Sequence, residues 1–192
     1  AIYEPIKMSM WNEYKDIVAG DDITVGIKES GDVYAVGLNN NYIFGSEDQN
    51  EYFGIPKKLE ISDVSNISLG DVHTLALTKD HQVYAWGDNT DGQLGTDEKN
   101  DELTPVRSGS LKNIIQVSAG DSFSLALDDN GDVYSWGTSR DGQCGNGDDS
   151  DVTWPEVIAD LSDIVSISAG KDHGLAVEDN GRVWAWGDNG YG

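Results

Sequence analysis

Apolar and polar positions alternate along this chain in short runs, and the runs recur every fifty residues. Ile115, Val117 and Ala119 alternate with polar residues and predict a first strand. Ser124–Leu127 predicts a second strand, Val133–Trp136 a third, and Pro155–Ile158 a short outer strand, where proline is tolerated. Asp129-Asn130-Gly131-Asp132 reads as a hairpin turn, with Asn and Gly expected to supply positive φ angles. The second strand alternates large with small side chains: Leu75-Ala76-Leu77, Leu125-Ala126-Leu127 and Leu175-Ala176-Val177. A sheet with one wet face would carry polar residues at the alternate positions. Large-small alternation instead suits a sheet packed on both faces.

The period itself decides the architecture. Copies begin at Ala19, Leu69, Ala119 and Ala169, the first being the weakest. Gly20, Gly70, Gly120 and Gly170 are equivalent, as are Gly37, Gly87, Gly137 and Gly187. Pro5, Pro105 and Pro155 keep the spacing, while Pro56 is one residue out of step. Four short strands per unit with two-sided packing predict an all-β fold, a β-propeller of four-stranded antiparallel blades. A one-layer solenoid is the alternative. The chain divides into a single repeat domain over 1–192, with a closing strand segment at 1–19. Repeats follow at 20–69, 70–119 and 120–169, with a partial repeat at 170–192.

Composition adds limits. The 192 residues carry 35 acidic and 12 basic side chains, for a formal charge of -23. That sign argues against direct nucleic-acid binding or an anionic membrane surface, both of which need clustered Lys and Arg. No apolar run approaches the roughly 18 residues of a membrane span. Glycine accounts for 23 residues, above the usual share of about 7%. A single cysteine, Cys144, precludes an intrachain disulfide and leaves the compartment open.

At these residues the chain resembles the regulator of chromosome condensation repeat family. Its mark is a small residue and Gly, a frequent His, an aliphatic strand, Gly-x-Val-Tyr-x-Trp-Gly and then Gly-Gln-Leu-Gly. The second copy matches through Gly70, His73, Leu75, Val83, Tyr84, Trp86, Gly87 and Gly92–Gly95. The third matches through Gly120, Gly131, Val133, Tyr134, Trp136, Gly137 and Gly142–Gly145. The fourth matches through Gly170, His173, Gly181, Val183, Trp184, Trp186 and Gly187. The first copy departs, with Val36 in place of Trp and Tyr42-Ile43-Phe44-Gly45 in place of the glutamine turn, so its blade should pack differently. The resemblance implies a seven-bladed ring, of which these repeats form an incomplete part. On that view the head would pair with the last blade of a full ring. The open ends would be covered by the rest of a longer chain or by a second copy through exposed blade edges; closure as a four-bladed ring is the least favoured arrangement.

Chemistry is sparse. His73 and His173 share a position with Ile23 and Phe123, which points to packing or local hydrogen bonding. His81 falls in a hairpin turn and should be exposed, whereas Cys144 takes the slot of Leu94 and reads as a buried thiol. One Cys and three scattered His offer no zinc spacing. Gly142, Gly145 and Gly147 resemble a phosphate loop but lack the following helix that such a loop needs. Asp88–Gly92 makes a poor calcium loop, since Thr90 and Lys99 stand where ligands are required. No catalytic residue, cofactor or metal is expected. Tryptophans 86, 136 and 186 follow the period and read as packing, whereas Trp11 and Trp154 lie off the main signature, at a seam or a contact surface.

Acidic residues gather in loops: Glu47-Asp48, Asp88–Asp91, Asp97–Glu102 and Asp148–Asp151. They read either as a solvated surface or as a negative rim that attracts a basic protein partner. The candidate protein-binding residues are Asp88, Asn89, Asp91, Glu98, Asp101, Arg140, Asp141, Asp148, Asp149, Asp151, Trp154 and Asp188. The function expected is a non-enzymatic interaction scaffold, and the loops after the tryptophans vary between copies as a scaffold's would. The resemblance implies an alternative, guanine-nucleotide exchange on a small GTPase.

Overall fold

The structure is a computed structural model that describes residue 4, residues 8–46 and residues 52–190. Pro5, Glu47 and Asp48, which enter the spacing and charge arguments, lie outside the described residues, as do Tyr191 and Gly192 at the end of the partial repeat. Among the described residues fifteen strands form four antiparallel sheets, each a simple meander. The first holds β1 (Tyr14–Ala19), β2 (Ile23–Lys28), β3 (Val33–Leu38) and β4 (Tyr52–Lys58). The second holds β5 (Val64–Leu69), β6 (His73–Thr78), β7 (Val83–Gly87) and β8 (Glu102–Arg107). The third holds β9 (Ile114–Ala119), β10 (Phe123–Asp128), β11 (Val133–Gly137) and β12 (Val152–Val157). The fourth has three described strands, β13 (Ile164–Ala169), β14 (His173–Glu178) and β15 (Val183–Gly187). A 3-10 turn at Asn40–Tyr42 is the one helical segment among the described residues. These sheets are the blades of a β-propeller.

The blades run out of phase with the fifty-residue sequence units. Each begins six residues before the repeated Gly, so a unit such as 70–119 holds strands two to four of one blade and strand one of the next. This corrects the place of the head: β1 pairs with β2 (Val18 opposite Val25, Ala19 opposite Thr24) and belongs to the first blade. The link between them spans only 20–22 and is closed by Gly20 N–H donating to the Ile23 carbonyl at 2.8 Å, too short for β1 to reach another sheet.

Two local expectations also change. In the hairpin at 128–132 only Gly131 has positive φ (+86°), because the loop is a type I turn closed by a glycine bulge. In the first strand of each blade the register shifts by one residue, and in β9 the extra residue is Ile115. Two residues then face one on the partner and the side-chain parity flips. Ile114 and Val117 are buried, while Ile115 is 48% exposed.

The large-small alternation is explained by where the core lies. Among the described residues the three apolar clusters are the three seams between successive blades. Leu75, Leu77, Val83 and Ala85 of the second blade pack on Ile114, Val117, Ala126 and Trp136 of the third. Ile23, Val25, Ile27 and Val33 likewise meet Val64, Ile67, Ala76 and Trp86, and Phe123, Leu125, Leu127 and Val133 meet Ile164, Ile167 and Ala176. The small residues let the next sheet approach the large ones.

Each seam is keyed by a hydrogen bond. The indole N–H of Trp86, Trp136 and Trp186 donates to the carbonyl of Ile43, Gln93 and Gln143, at 2.8, 2.8 and 2.7 Å. The Trp of one blade therefore reads the turn of the blade before it. Gly145 ends such a turn with φ +62°, and a Cβ there would press on the Trp186 ring at 3.0 Å. Gly137, at φ +107°, follows the tryptophan where a Cβ would strike the Ser122 carbonyl. Thr74 and Ser124 hydroxyls donate to the same carbonyls as the indoles, at 3.0 and 2.8 Å.

His73 extends this network. Its Nε2 lies 2.8 Å from Ser124 Oγ. Ser124 spends its proton on the Gln93 carbonyl, so its oxygen accepts from His73 Nε2–H, and Nδ1 is the bare nitrogen. Among the described residues Nδ1 has no partner. Complete burial pushes this imidazole down to about 4, with the Asp121 backbone and the Asp88 and Asp121 charges pulling weakly the other way.

The arc is open at both ends. Leu175 and Val183 on the outer face of the fourth blade are 36% and 62% exposed, and Ile17 on the first is 64% exposed. Among the described residues no strand of the first blade packs on one of the fourth, and these four blades are not closed as a four-bladed ring. Trp11 sits against the first blade's free face, where its ring leaves no room for a Cβ at Gly26. Its centroid is 4.7 Å from that of Tyr14, which in turn stacks edge-on to Tyr34. Trp11 is thus in phase after all: it holds the position of Ile61, Leu111 and Leu161, which pack in the three inner seams.

Trp136→Phe should cost about 1–2 kcal/mol in urea unfolding, because Ser124 still serves the Gln93 carbonyl, whereas Trp136→Ala should cost about 3–5 kcal/mol. His73 contributes a pH dependence of known sign. Below the unfolded value of about 6.5 the unfolded chain takes up a proton that the folded chain refuses until about pH 4. Its share of stability, about 3 kcal/mol, should therefore vanish as pH falls from 6.5 towards 4, and His73→Phe should flatten that part of the stability curve.

Candidate interaction surface

In an antiparallel meander the turn after strand one and the loop after strand three leave the sheet at the same end. Backbone bonds tie them together: Asp88 N–H donates to Val72 (3.0 Å), Thr138 to Ser122 (2.9 Å) and Asp188 to Asp172 (2.8 Å). One face of the arc is therefore made of residues 20–22, 39–46, 70–72, 88–101, 120–122, 138–151, 170–172 and 188–190. Among the described residues these segments carry fifteen carboxylates against Lys99, Arg140 and Lys171. The opposite face (29–32, 59–63, 79–82, 108–113, 129–132, 158–163 and 179–182) carries ten against Lys79, Lys112 and Arg182. The first face is the more negative, by both number and excess.

At its centre the repeated glycines converge. Gly20, Gly70, Gly120 and Gly170 line an open axial cavity of about 570 Å3 together with Asp21, Asp71, Asp121 and Lys171. Asp71 is pushed above the usual carboxylate range by a hydrogen bond shared with Asp121, by burial and by the Asp121 charge. Lys171 offsets part of this at 3.4 Å from Asp121. This column does not stand out along the chain, where its one signal is that Asp21, Asp71 and Asp121 each follow a repeated Gly.

The predicted binding residues separate into distinct environments. Asn89 is buried: its Oδ1 accepts from Leu94 N–H at 2.9 Å and its Nδ2 donates to the Glu98 carbonyl at 2.7 Å. It holds the loop in shape and offers nothing to a partner. Asp88 accepts from Thr90 and from Gln93 Nε2 (2.6 Å), and Asp101 caps the Asn89 N–H at 2.9 Å. Arg140 meets Asp91 at 2.6 Å and Asp151 at 3.8 Å, while Lys99 meets Asp151 at 2.8 Å. These four clasp the loop of the second blade to that of the third. Burial raises the Asp151 carboxyl, and the Lys99 hydrogen bond with the Lys99 and Arg140 charges more than reverses this, leaving it below its ordinary value.

Glu98, Asp141, Asp148, Asp149 and Asp188 stand exposed on the rim. Asp148 is held below the usual range by the Ser150 hydroxyl and backbone. Trp154, 41% exposed, lies apart on the outer strand β12, over a cavity lined by Ser110–Asn113, Asp128 and Tyr134 near the opposite face. The period gave no hint of this, since Thr104 stands at the same position of the second blade.

Cys144 is buried and its thiol is pushed up to about 12 by that burial, so it is not ionised at neutral pH. Among the described residues no group of three or more His, Cys, Asp or Glu could hold a metal ion, and no helix is long and apolar enough to cross a membrane. Gly142 and Gly145 lie in a turn that leads on to a β-strand, with no helix to receive a phosphate.

Asn89→Ala should lower stability by about 1–3 kcal/mol through the stranded Leu94 N–H. Arg140→Ala should cost about 1 kcal/mol or less, as expected for a pair with an exposed partner. Urea midpoints of the two variants check both.

Two models of the Regulator of chromosome condensation (RCC1) repeat match the sequence. One matches at residues 80–127 and 130–177, the other at 14–43, 64–93, 114–143 and 164–192. No curated protein sequence matches it. Among solved structures, human WBSCR16 is 25% identical with a TM-score of 0.79, covering 88% of this chain and 45% of that one. Yeast RCC1 (Prp20) bound to Kap60 gives 26%, 0.77, 92% and 44%. Prp20p from Saccharomyces cerevisiae, described with its binding properties to Gsp1p and histones, gives 26%, 0.78, 95% and 48%. The chain thus spans less than half the length of each. The second model's matches start with the first strand of each of the four blades, and together they cover most of the sequence: the chain belongs to the Regulator of chromosome condensation (RCC1) repeat family.

Proposed function

We propose that the acid-rich face docks a basic protein partner and that the chain acts as a non-catalytic interaction module. The observation that carries this reading is the exposed row of Glu98, Asp141, Asp148, Asp149 and Asp188 above loops already fixed by Asn89 and the Arg140–Asp151 clasp. Fixed loops lose little freedom on binding, and an uncompensated negative face speeds encounter with a cation-rich surface. The similarity to Prp20p, with its binding to histones and Gsp1p, supports a protein partner. Direct contact with nucleic-acid phosphates is disfavoured by the same charge.

The Gsp1p connection also favours a second reading, nucleotide exchange on a small GTPase. Exchange needs no nucleophile, only tighter binding to the nucleotide-free form. Fluorescent GDP release from Gsp1p separates the two, since a scaffold leaves that rate unchanged.

For the docking reading, purified histones serve as the basic probe. Their association rate with the chain should fall several-fold when Asp141, Asp148 and Asp149 become Asn together, and should fall with added salt. The same neutralisation at Asp80, Asp129 and Asp132 on the opposite face should have a smaller effect. Equal losses from the two faces would sink the assignment of the face.

A further inference from the structure

One position at the end of the second strand is filled differently on each blade. Lys28, Thr78, Asp128 and Glu178 stand there one period apart, beside the aromatic residues Tyr34, Tyr84, Tyr134 and Trp184. On the first blade the position holds a cation, with Lys28 Nζ 5.2 Å from the ring centroids of both Tyr14 and Tyr34. On the second it is the neutral Thr78. On the fourth, Glu178 accepts from Trp184 Nε1–H at 2.6 Å and meets Arg182 at 3.7 Å. Asp128 is the exception. It is 5% exposed, and among the described residues no cation stands within ion-pair distance of it. Its Oδ1 accepts from the Asn130 and Asp132 N–H groups at 2.9 and 3.0 Å, which fix the carboxylate without neutralising it.

The same place is where the third blade departs from the period. Trp154 stands where the second blade has Thr104 and, with Tyr134, Pro155 and Asp128, walls a cavity of about 380 Å3. Pro155 and Trp154 lie against Gly109, at φ +52°, where a Cβ would come within 2.9 Å of the proline and 3.6 Å of the indole. Burial, the Asp128 and Asp132 charges and a hydrogen bond to Asp128 hold the Tyr134 hydroxyl above its ordinary range, so it stays protonated and donates to that carboxylate. We infer that this pocket binds a cationic side chain, lysine or arginine, presented by a protein partner. Lys28 shows that an ammonium is accommodated over the tyrosine of this position. The third blade supplies the ring without a cation of its own, adds the more strongly attracting face of an indole, and sets a buried charge of opposite sign beside both. An apolar or anionic group would gain nothing from that carboxylate. Lys112, exposed at the rim of the pocket, is a competing charge that weakens the site. The pocket lies at the other end of the blades from Asp141, Asp148 and Asp149, and the inference does not rest on the docking assigned to that face.

The test is an NMR titration of the full chain with N-acetyl-lysine amide, read at the indole Nε1–H of Trp154, with N-acetyl-norleucine amide as the uncharged control. The lysine probe should shift that resonance in a saturable way and the norleucine probe should not. Trp154→Thr, which restores the residue of the second blade, should weaken binding about two- to fivefold, then read at the Tyr134 ring protons. Asp128→Asn keeps an acceptor for the hairpin N–H groups and should weaken it several-fold. Lys112→Gln should tighten it, and Asn at 141, 148 and 149 together should leave it unchanged. Unmoved Trp86 and Trp136 indole signals show that each variant is folded. Equal shifts from the two probes, or full binding by folded Trp154→Thr, would overturn the inference. So would binding of N-acetyl-glutamate amide that Lys112→Gln abolishes, since the site would then take an anion.

Discussion

The hydrogen bond from an indole N–H to the turn carbonyl of the preceding blade sets most of what else this molecule can do. It links two motifs that lie 43 residues apart, Trp136 and Gln93 for instance, and fixes the stagger of one sheet against the next. Buried in a seam, such a bond is strong locally and its loss is felt directly, because neither group can turn to water. The glycine closing each turn follows from it, since a Cβ there would press on the indole ring, whereas the glycine after each tryptophan makes room for the turn between the first two strands of its own blade. Even the aberrant first blade keeps the interaction. Ile43 lacks the glutamine side chain but offers its carbonyl to Trp86 all the same. The glutamine has a different duty, closing its own loop through Asp88 and Asp91.

Much of this was legible in one sequence because the residues that make seams recur with the period. The alternation of Leu125-Ala126-Leu127 announced two-sided packing, and the recurrent tryptophans announced a structural role. What escaped were features that periodicity does not encode. The parity flip at Ile115 depends on a bulge, and a bulge leaves no mark when the extra residue is itself apolar. The membership of β1 in the first blade depends on a three-residue turn, which a repeat counted from glycine to glycine cuts through. Trp11 was in phase but disguised by its size relative to Leu111.

The candidate surface was legible in charge and not in geometry. Counting acids located the loops but could not separate Asn89, which is interior, from Asp149, which is exposed. Nor could it show that Arg140, Asp91, Asp151 and Lys99 would be consumed by one another. The axial Asp21, Asp71 and Asp121 were overlooked for a related reason. One aspartate per turn is unremarkable along the chain and becomes a concentration of charge only when a rotation axis gathers the copies.

A molecule whose three apolar clusters all lie between sheets has no sheet with an interior of its own. The fourth blade shares one such cluster, the second and third share two each. Order in a stack of this kind resembles a row of dominoes held upright by their neighbours: resistance to opening is graded along the row and least where support comes from a single side. Amide protons of β14 and β15 would then trade with solvent sooner than those of β6 and β10, and the loss of structure on warming would travel inward from that margin.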